Sequence, residues 1–196
     1  MVYKITKTEI IGIYSNDYGR KYYLREMARL LGKPHQTVKP YAEELAKEGV
    51  LRKTTRKSIV EYCIDFRNKT VYDYLVIAEK ERTLRRLATE TYLRILFESL
   101  TESFINNIFV VFGSSVDRIR DGSDIDILSI GKDDVAGITN RLESVYNKKI
   151  HLIHVNNISE LSETLVKEVY KKHLIMNNTE YVIRFFGYLH EQNKLV

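Results

Sequence analysis

Two aspartates one residue apart, Asp124 and Asp126, follow a Gly113-Ser114 pair after nine residues. All four lie in the stretch Ile108 to Ile130, IFVVFGSSVDRIRDGSDIDILSI. If Asp124-Ile-Asp126-Ile begins a strand, its side chains alternate, and the two carboxylates share one face roughly 6–7 Å apart. Carboxylates so held can bind a divalent cation, and two metals about 3.5–4 Å apart can clamp a triphosphate. Ser114, Ser115 and the free N–H groups of the turn could hold phosphate oxygens. The simpler reading is that both aspartates cap turns and stand in water. The preceding Gly-Ser favours the first, because metal and phosphate sites on neighbouring strands are what nucleotidyl transfer requires.

The elements that must position these groups are short and local. Ile108–Phe112 is β-branched and aromatic, the composition of a buried strand. Gly113-Ser114 ends it, and Gly122-Ser123 marks a second turn. Ile125 and Ile127 then point to the core. The pattern from Ile108 to about Gly187 resembles the polymerase-β-type nucleotidyltransferase superfamily, and within it the minimal nucleotidyltransferase branch. That resemblance implies that Ser114 contacts phosphate, with Gly113 and Ser115 beside it, and that Asp124 and Asp126 bind magnesium. Arg118 and Arg120, in the intervening loop, are either further phosphate contacts or solvated loop charges.

The family carries a third carboxylate on a later strand. The matching stretch here is Lys149-Ile-His-Leu-Ile-His-Val155, which puts His151 in that place. A neutral imidazole can accept a proton or bind a metal. It does not supply the negative charge. Alternation groups His151 with Ile153 and Val155 but does not say which face meets the aspartates.

The chain has 196 residues, 44% hydrophobic and 29% charged, an ordinary globular composition of one or two domains. One cysteine, Cys63, excludes an internal disulfide and fits a reducing cytoplasm. No apolar run is long enough for a membrane span, and no signal-peptide pattern opens the chain. The net charge of +5 is unevenly placed. Residues 1–68 hold 14 Lys and Arg against 8 Asp and Glu, and the rest hold 17 against 18. A positive excess confined to one end is the footprint of a nucleic-acid-binding module.

That end reads as a helix over Ile5–Tyr14 capped by Thr6 or Thr8, a turn, a helix over Tyr23–Leu31, and Gly32 as a stop. A third helix opens in Lys33–Pro40 and runs to Gly49. If it begins at Pro34, Pro40 kinks it. If Thr37 is the cap, Pro40 falls harmlessly in the first turn. Val50–Ile64 is a hairpin with a basic tip. The series resembles a winged helix-turn-helix, with Ala28, Leu31, Gly32, Thr37, Val38, Leu45, Gly49 and Val50 at the places expected of prokaryotic transcription regulators. The resemblance implies duplex DNA as partner. His35, Gln36, Thr37 and Lys39 would read base edges, and Arg52, Lys53, Arg56 and Lys57 would contact phosphate. The other reading of such a fold is a protein-interaction module.

Val71–Asn106 reads as helical with a break near Ala88-Thr89. Its apolar stripe could link domains, pack on the sheet or pair two chains into a homodimer. Ala136–Tyr146 is helical. Asn157-Ile-Ser-Glu160 has capping-box form and opens a helix through Tyr170. Met176–Asn178 is a turn, and Glu180–His190 is a last helix. His154, His173 and His190 lack partners at metal-ligand spacing and read as structural or surface residues. The expected fold is α+β or α/β: a winged helix over 1–68, a helical connector over 69–107, and a nucleotidyltransferase-type mixed sheet with flanking helices over 108–196.

The function expected is a cytoplasmic DNA-binding protein that takes a nucleoside triphosphate with magnesium. If active, it transfers a nucleoside monophosphate to an acceptor, and the reading leans to an enzyme. The rival is a transcriptional regulator whose second domain is a degenerate sensor or dimerisation unit. A third reading comes from the resemblance: some minimal nucleotidyltransferases are antitoxins that modify a helical toxin partner.

Overall fold

The computed structural model describes residues 5–56, 59–119, 122–192 and 194–195. Lys57 and Arg120 lie outside them, and the side chain of Arg56 is not described. The architecture is mixed α+β, with one small sheet and one larger mixed sheet. The chain divides into two compact units. The first takes the described residues up to Glu79 and again from Ile183 to Lys194. The second takes Lys80–Val182 with Leu195. The stretch 69–107, set apart above as a connector, is thus divided between them at Glu79 and Lys80.

In the first unit, α1 (Lys7–Gly12) is capped by Thr6, whose hydroxyl accepts from the Glu9 amide while Glu9 reaches back to the Thr6 amide. This reciprocal box satisfies two helix-end donors at once. Then come β1 (Tyr22–Tyr23), α2 (Leu24–Leu30), α3 (His35–Lys47), β2 (Leu51–Arg56) and β3 (Ile59–Ile64). The strands form an antiparallel sheet in the order β1-β3-β2. Ile10, Ile11, Met27, Val38, Ala42, Leu45, Leu51 and Tyr62 are all buried in this unit. The helix α3 is capped at Pro34, so Pro40 lies in its interior and the Thr37 cap is not used. Pro40 leaves the Gln36 carbonyl without its helical donor. Both residues are exposed, where water can satisfy that group.

The second unit is built on a four-stranded sheet, order β6-β5-β4-β7, formed by β4 (Asn107–Phe112), β5 (Ile125–Gly131), β6 (Ile150–Val155) and β7 (His173–Ile175). Strand β5 is antiparallel to β4 and parallel to β6, and β7 is antiparallel to β4. The β5–β6 crossover carries the helix α6 (Ala136–Tyr146), since parallel neighbours cannot be joined by a tight turn. Helix α4 (Thr70–Thr89) runs from the first unit into the second, and α5 (Thr91–Leu100) follows after a break at Glu90. Leu93, Leu96 and Leu100 of α5 and Leu142 of α6 join one core with Phe109, Val111, Ile125, Ile127 and Leu174. Each such side chain, fully buried, contributes about 1.5–3 kcal/mol.

One reading of the C-terminal part needs correction. Asn157 caps only a single 3-10 turn, Ile158–Glu160. The helix α7 (Glu163–Lys171) starts from a second cap, Ser162, where the buried Val166, Val169 and Tyr170 supply helical spacing. Its end leads into β7, an edge strand that the sequence pattern does not announce. The chain closes with α8 (Thr179–Glu191).

Candidate functional site

The strand β4 ends at Gly113, which opens a 3-10 turn over Gly113–Val116. Gly113 has φ +71°, and a Cβ there would stand 2.8 Å from Asp126 Oδ2. The turn therefore needs glycine twice, for its left-handed backbone and for the carboxylate pressed against it. Arg86 of α4 pins the far end of the turn, its Nε donating to the Val116 carbonyl at 2.9 Å. Ser115 is fully buried, and its hydroxyl donates to the Asp124 carbonyl at 2.9 Å. That bond ties the turn to the loop that delivers Asp124. It also occupies the hydroxyl expected on phosphate. Ser114 and Arg118 are exposed.

Asp126 lies on β5 between the buried Ile125 and Ile127, opposite Phe112 on β4 and His151 on β6. The parallel register settles which face His151 uses: its Nδ1 stands 3.1 Å from Asp126 Oδ1. A carboxylate offers no proton, so Nδ1–H donates, and in the neutral ring Nε2 is the nitrogen that keeps a lone pair. The His151 side chain is 64% exposed and that of Asp126 29%, so the pair sits at a wet surface, not in the core. Asp124, just before β5, is exposed.

Asp126 and His151 border a cleft of about 370 Å³, lined also by Gly113, Glu168, Lys171 and Lys172. A second cavity of about 220 Å³ is lined by Ser114, Asp117, Arg118, Ser123 and Lys172. Glu168, Lys171 and Lys172 come from the end of α7 and the residue after it, and no motif announced them. The histidines set aside above remain outside this site. His173 is fully buried, its Nδ1 bonded to the Val169 and Tyr170 carbonyls. His154 stands 3.2 Å from the Ser129 hydroxyl.

Magnesium takes oxygen ligands and is usually held by one or two carboxylates with substrate phosphates. Asp126 and His151 line the cleft, and Asp124, which lines neither cavity, is exposed just before β5. This donor set fits one magnesium ion arriving on a triphosphate. It is not a protein-only cage: among the described residues, no three His, Cys, Asp or Glu side chains gather at metal-binding spacing.

In the first unit, His35, Gln36, Thr37 and Lys39 are exposed at the start of α3, and Arg52 and Lys53 are exposed on β2. Lys53 is not a free cation. Its Nζ lies 2.8 and 2.9 Å from the two carboxylate oxygens of Glu43, which also accepts from the Tyr62 hydroxyl at 2.7 Å. The Lys53 ammonium first, and the Tyr62 hydroxyl second, hold the Glu43 carboxyl below its usual range. Arg20, Lys21, Arg25 and Arg29 add exposed positive charge around β1 and α2, at positions that the motif did not single out.

No helix among the described residues is long and apolar enough to cross a membrane. No protein-family model and no curated protein matches the chain. Solved structures similar to part of it include a mutant of the toxin–antitoxin MntA–HpeT, at 16% identity over 52% of this chain and 87% of that one, TM-score 0.38. Another is the toxin–antitoxin with AMP-PNP, at 17% identity over 50% and 85%, TM-score 0.37. A further MntA–HpeT mutant aligns at 16% identity over 51% and 85%, TM-score 0.39.

Proposed function

We propose that the second unit is a nucleotidyltransferase-type domain and that the first is a winged helix-turn-helix that binds duplex DNA. The observation that carries the first half is the Asp126 carboxylate, set between the Gly113 turn and His151 on one wet sheet face and lining the larger cleft. Ser114 and Arg118 would meet the phosphates, and Asp124 and Asp126 would hold the magnesium that comes with them. Bound there, the ion would offset the negative charge that develops on the phosphoryl oxygens.

The residues present also suggest how a proton could move. An acceptor oxygen would attack the α-phosphorus, the bond to pyrophosphate would break, and the acceptor proton would pass to a base. His151 has the form of one. Asp126 fixes the tautomer of the neutral ring through Nδ1–H, which leaves Nε2 as the nitrogen that can take a proton. This arrangement replaces a third carboxylate with an imidazole held by the second. Incubation with α-labelled triphosphate, magnesium and cell extract tests the reading directly, with labelled macromolecule as the expected product. His151→Ala is expected to lower labelling about 100-fold, the usual scale of a lost general base. His151→Asp is expected to tighten magnesium binding by completing an oxygen donor set. Triphosphate that binds but never labels any acceptor would favour the regulator reading, in which this domain only senses nucleotide.

The DNA half rests on the positive excess of residues 1–68 and the exposed start of α3. Changing Arg52, Lys53, Arg56 and Lys57 together to Ala is expected to weaken binding to all duplex sequences alike. The slope of log affinity against log salt should flatten by about 0.9 for each phosphate left unneutralised. Lys53, held by Glu43, should contribute least among them. Fluorescence anisotropy over a salt series measures both effects. A wild-type protein without salt-dependent duplex binding would leave the first unit a protein-interaction module.

A further inference from the structure

Lys172 lines both the larger cleft and the smaller cavity of the second unit. Its backbone explains why. Lys172 closes α7 in extended conformation, φ −153°, and its carbonyl accepts the Gly113 N–H at 3.1 Å. The next residue, His173, pairs with Phe112 in the sheet. The end of α7 is thereby stitched to the turn expected to carry phosphate, and Lys172 borders both the cleft that Asp126 lines and the cavity that Ser114 lines. The same bond occupies the Gly113 amide, so the turn has one donor fewer for an anion than its sequence promised. A cation beside it makes up that loss.

In this structure the ammonium stands 2.8 Å from Asp117 Oδ2. Both partners are substantially exposed, 38% for Lys172 and 67% for Asp117. An exposed pair of this kind is weak, because water solvates both charges and the long side chain loses freedom in forming it. A triphosphate brings several negative charges to the same place and has the advantage over one carboxylate. Ser114, Ser123 and Arg118 complete a wall of donors around the smaller cavity.

We propose that Lys172 grips the terminal phosphates of the bound triphosphate, and that Asp117 holds this lysine until the nucleotide displaces it. This rests on the triphosphate reading above. Asp117 then acts as a built-in competitor that sets how tightly phosphate is held.

Calorimetry on the full chain tests this with two probes, ATP with magnesium and inorganic tripolyphosphate without metal. Lys172→Gln is expected to weaken both about tenfold, the scale of one charge-assisted hydrogen bond. Lys172→Arg should largely restore both. Asp117→Asn should tighten both about threefold, by removing a competitor of exposed-pair strength. If the wild type binds ATP and Lys172→Gln binds it equally well, the role of Lys172 is overturned while the triphosphate reading survives. Weaker or unchanged binding in Asp117→Asn overturns the competition. Loss in both Lys172 variants, with a lowered unfolding midpoint, would make the side chain structural and overturn the proposal. A wild type that binds neither probe overturns it together with the reading beneath it.

Discussion

Asp124→Asn combined with Asp126→Asn is expected to abolish magnesium-dependent triphosphate binding, with a loss of at least about 100-fold in affinity. Two mechanisms add. Amide oxygens lack the charge that makes carboxylates effective ligands for a hard cation, and magnesium leans on only one or two protein carboxylates at such sites. Asp126 also holds His151, since its carboxylate is the acceptor for Nδ1–H at 3.1 Å. An amide there can still accept through its oxygen, so His151 keeps a partner and the fold should survive. Asp126 is 29% exposed and Asp124 exposed, which limits any effect on stability to a fraction of that on binding. The measurement is calorimetry with and without magnesium, alongside a thermal melt. Equal affinity in the double variant would mean that the carboxylates serve only the turn, and the nucleotide reading would fall.

The largest effect on stability is expected far from that pair, at the other end of β5. Gly131 has φ +155°, in a region open essentially to glycine alone, and it pairs with Asn107 on β4. A Cβ there would collide with the Asn106 carbonyl oxygen and the Asn107 side chain, and would stand 2.7 Å from Asn107 Cα. Neither neighbour can yield cheaply. Asn107 is buried, its side-chain amide donates to the Ser129 hydroxyl at 3.0 Å and the Asp133 carbonyl at 2.8 Å, and its oxygen accepts from the Asp133 amide. Gly131→Ala therefore combines backbone strain with the breaking of a buried polar network. The expected cost is about 3–5 kcal/mol, read as a fall of roughly 12–20 °C in the melting temperature of the second unit. Gly137→Ala, in α6 where the added methyl meets nothing within 4 Å, is the control and should be neutral or mildly stabilising. An unchanged melt for Gly131→Ala would mean that the end of β5 relaxes far more freely than its hydrogen bonds imply.

Several elements were legible because their signals are local. The apolar run before Gly113, the two turns and the alternation through Ile125 and Ile127 depend on neighbours in the chain, and they reappear as β4, the 3-10 turn and β5. The break between α4 and α5 falls at Glu90, next to the Ala88-Thr89 position read from sequence. Capping was less reliable, for a physical reason. Asn157 and Ser162 both cap backbone amides, but a cap satisfies only one helix-end donor. Whether a cap opens a lasting helix depends on the residues after it, and only after Ser162 do apolar residues return at helical spacing against a core. The strand β7 is three residues long and exists because β4 offers it an edge, which no local pattern could show.

The sequence alone determined the chemistry available: two carboxylates one residue apart, a glycine turn before them, a histidine in a later apolar run, and positive charge gathered near one end. Tertiary structure decided how those groups are used. Alternation has a period of two, so it sorts residues onto two faces without saying which face pairs with what. The parallel register of β5 and β6 made His151 the partner of Asp126. The bond between Gly113 and the Lys172 carbonyl picked one lysine out of 31 Lys and Arg and set it between two cavities. Burial turned Ser115 inward to the Asp124 carbonyl while leaving Ser114 exposed. Each of these outcomes joins residues distant in the chain, fixed by strand pairing and core packing, and a pattern of neighbours along the sequence carries no information about it.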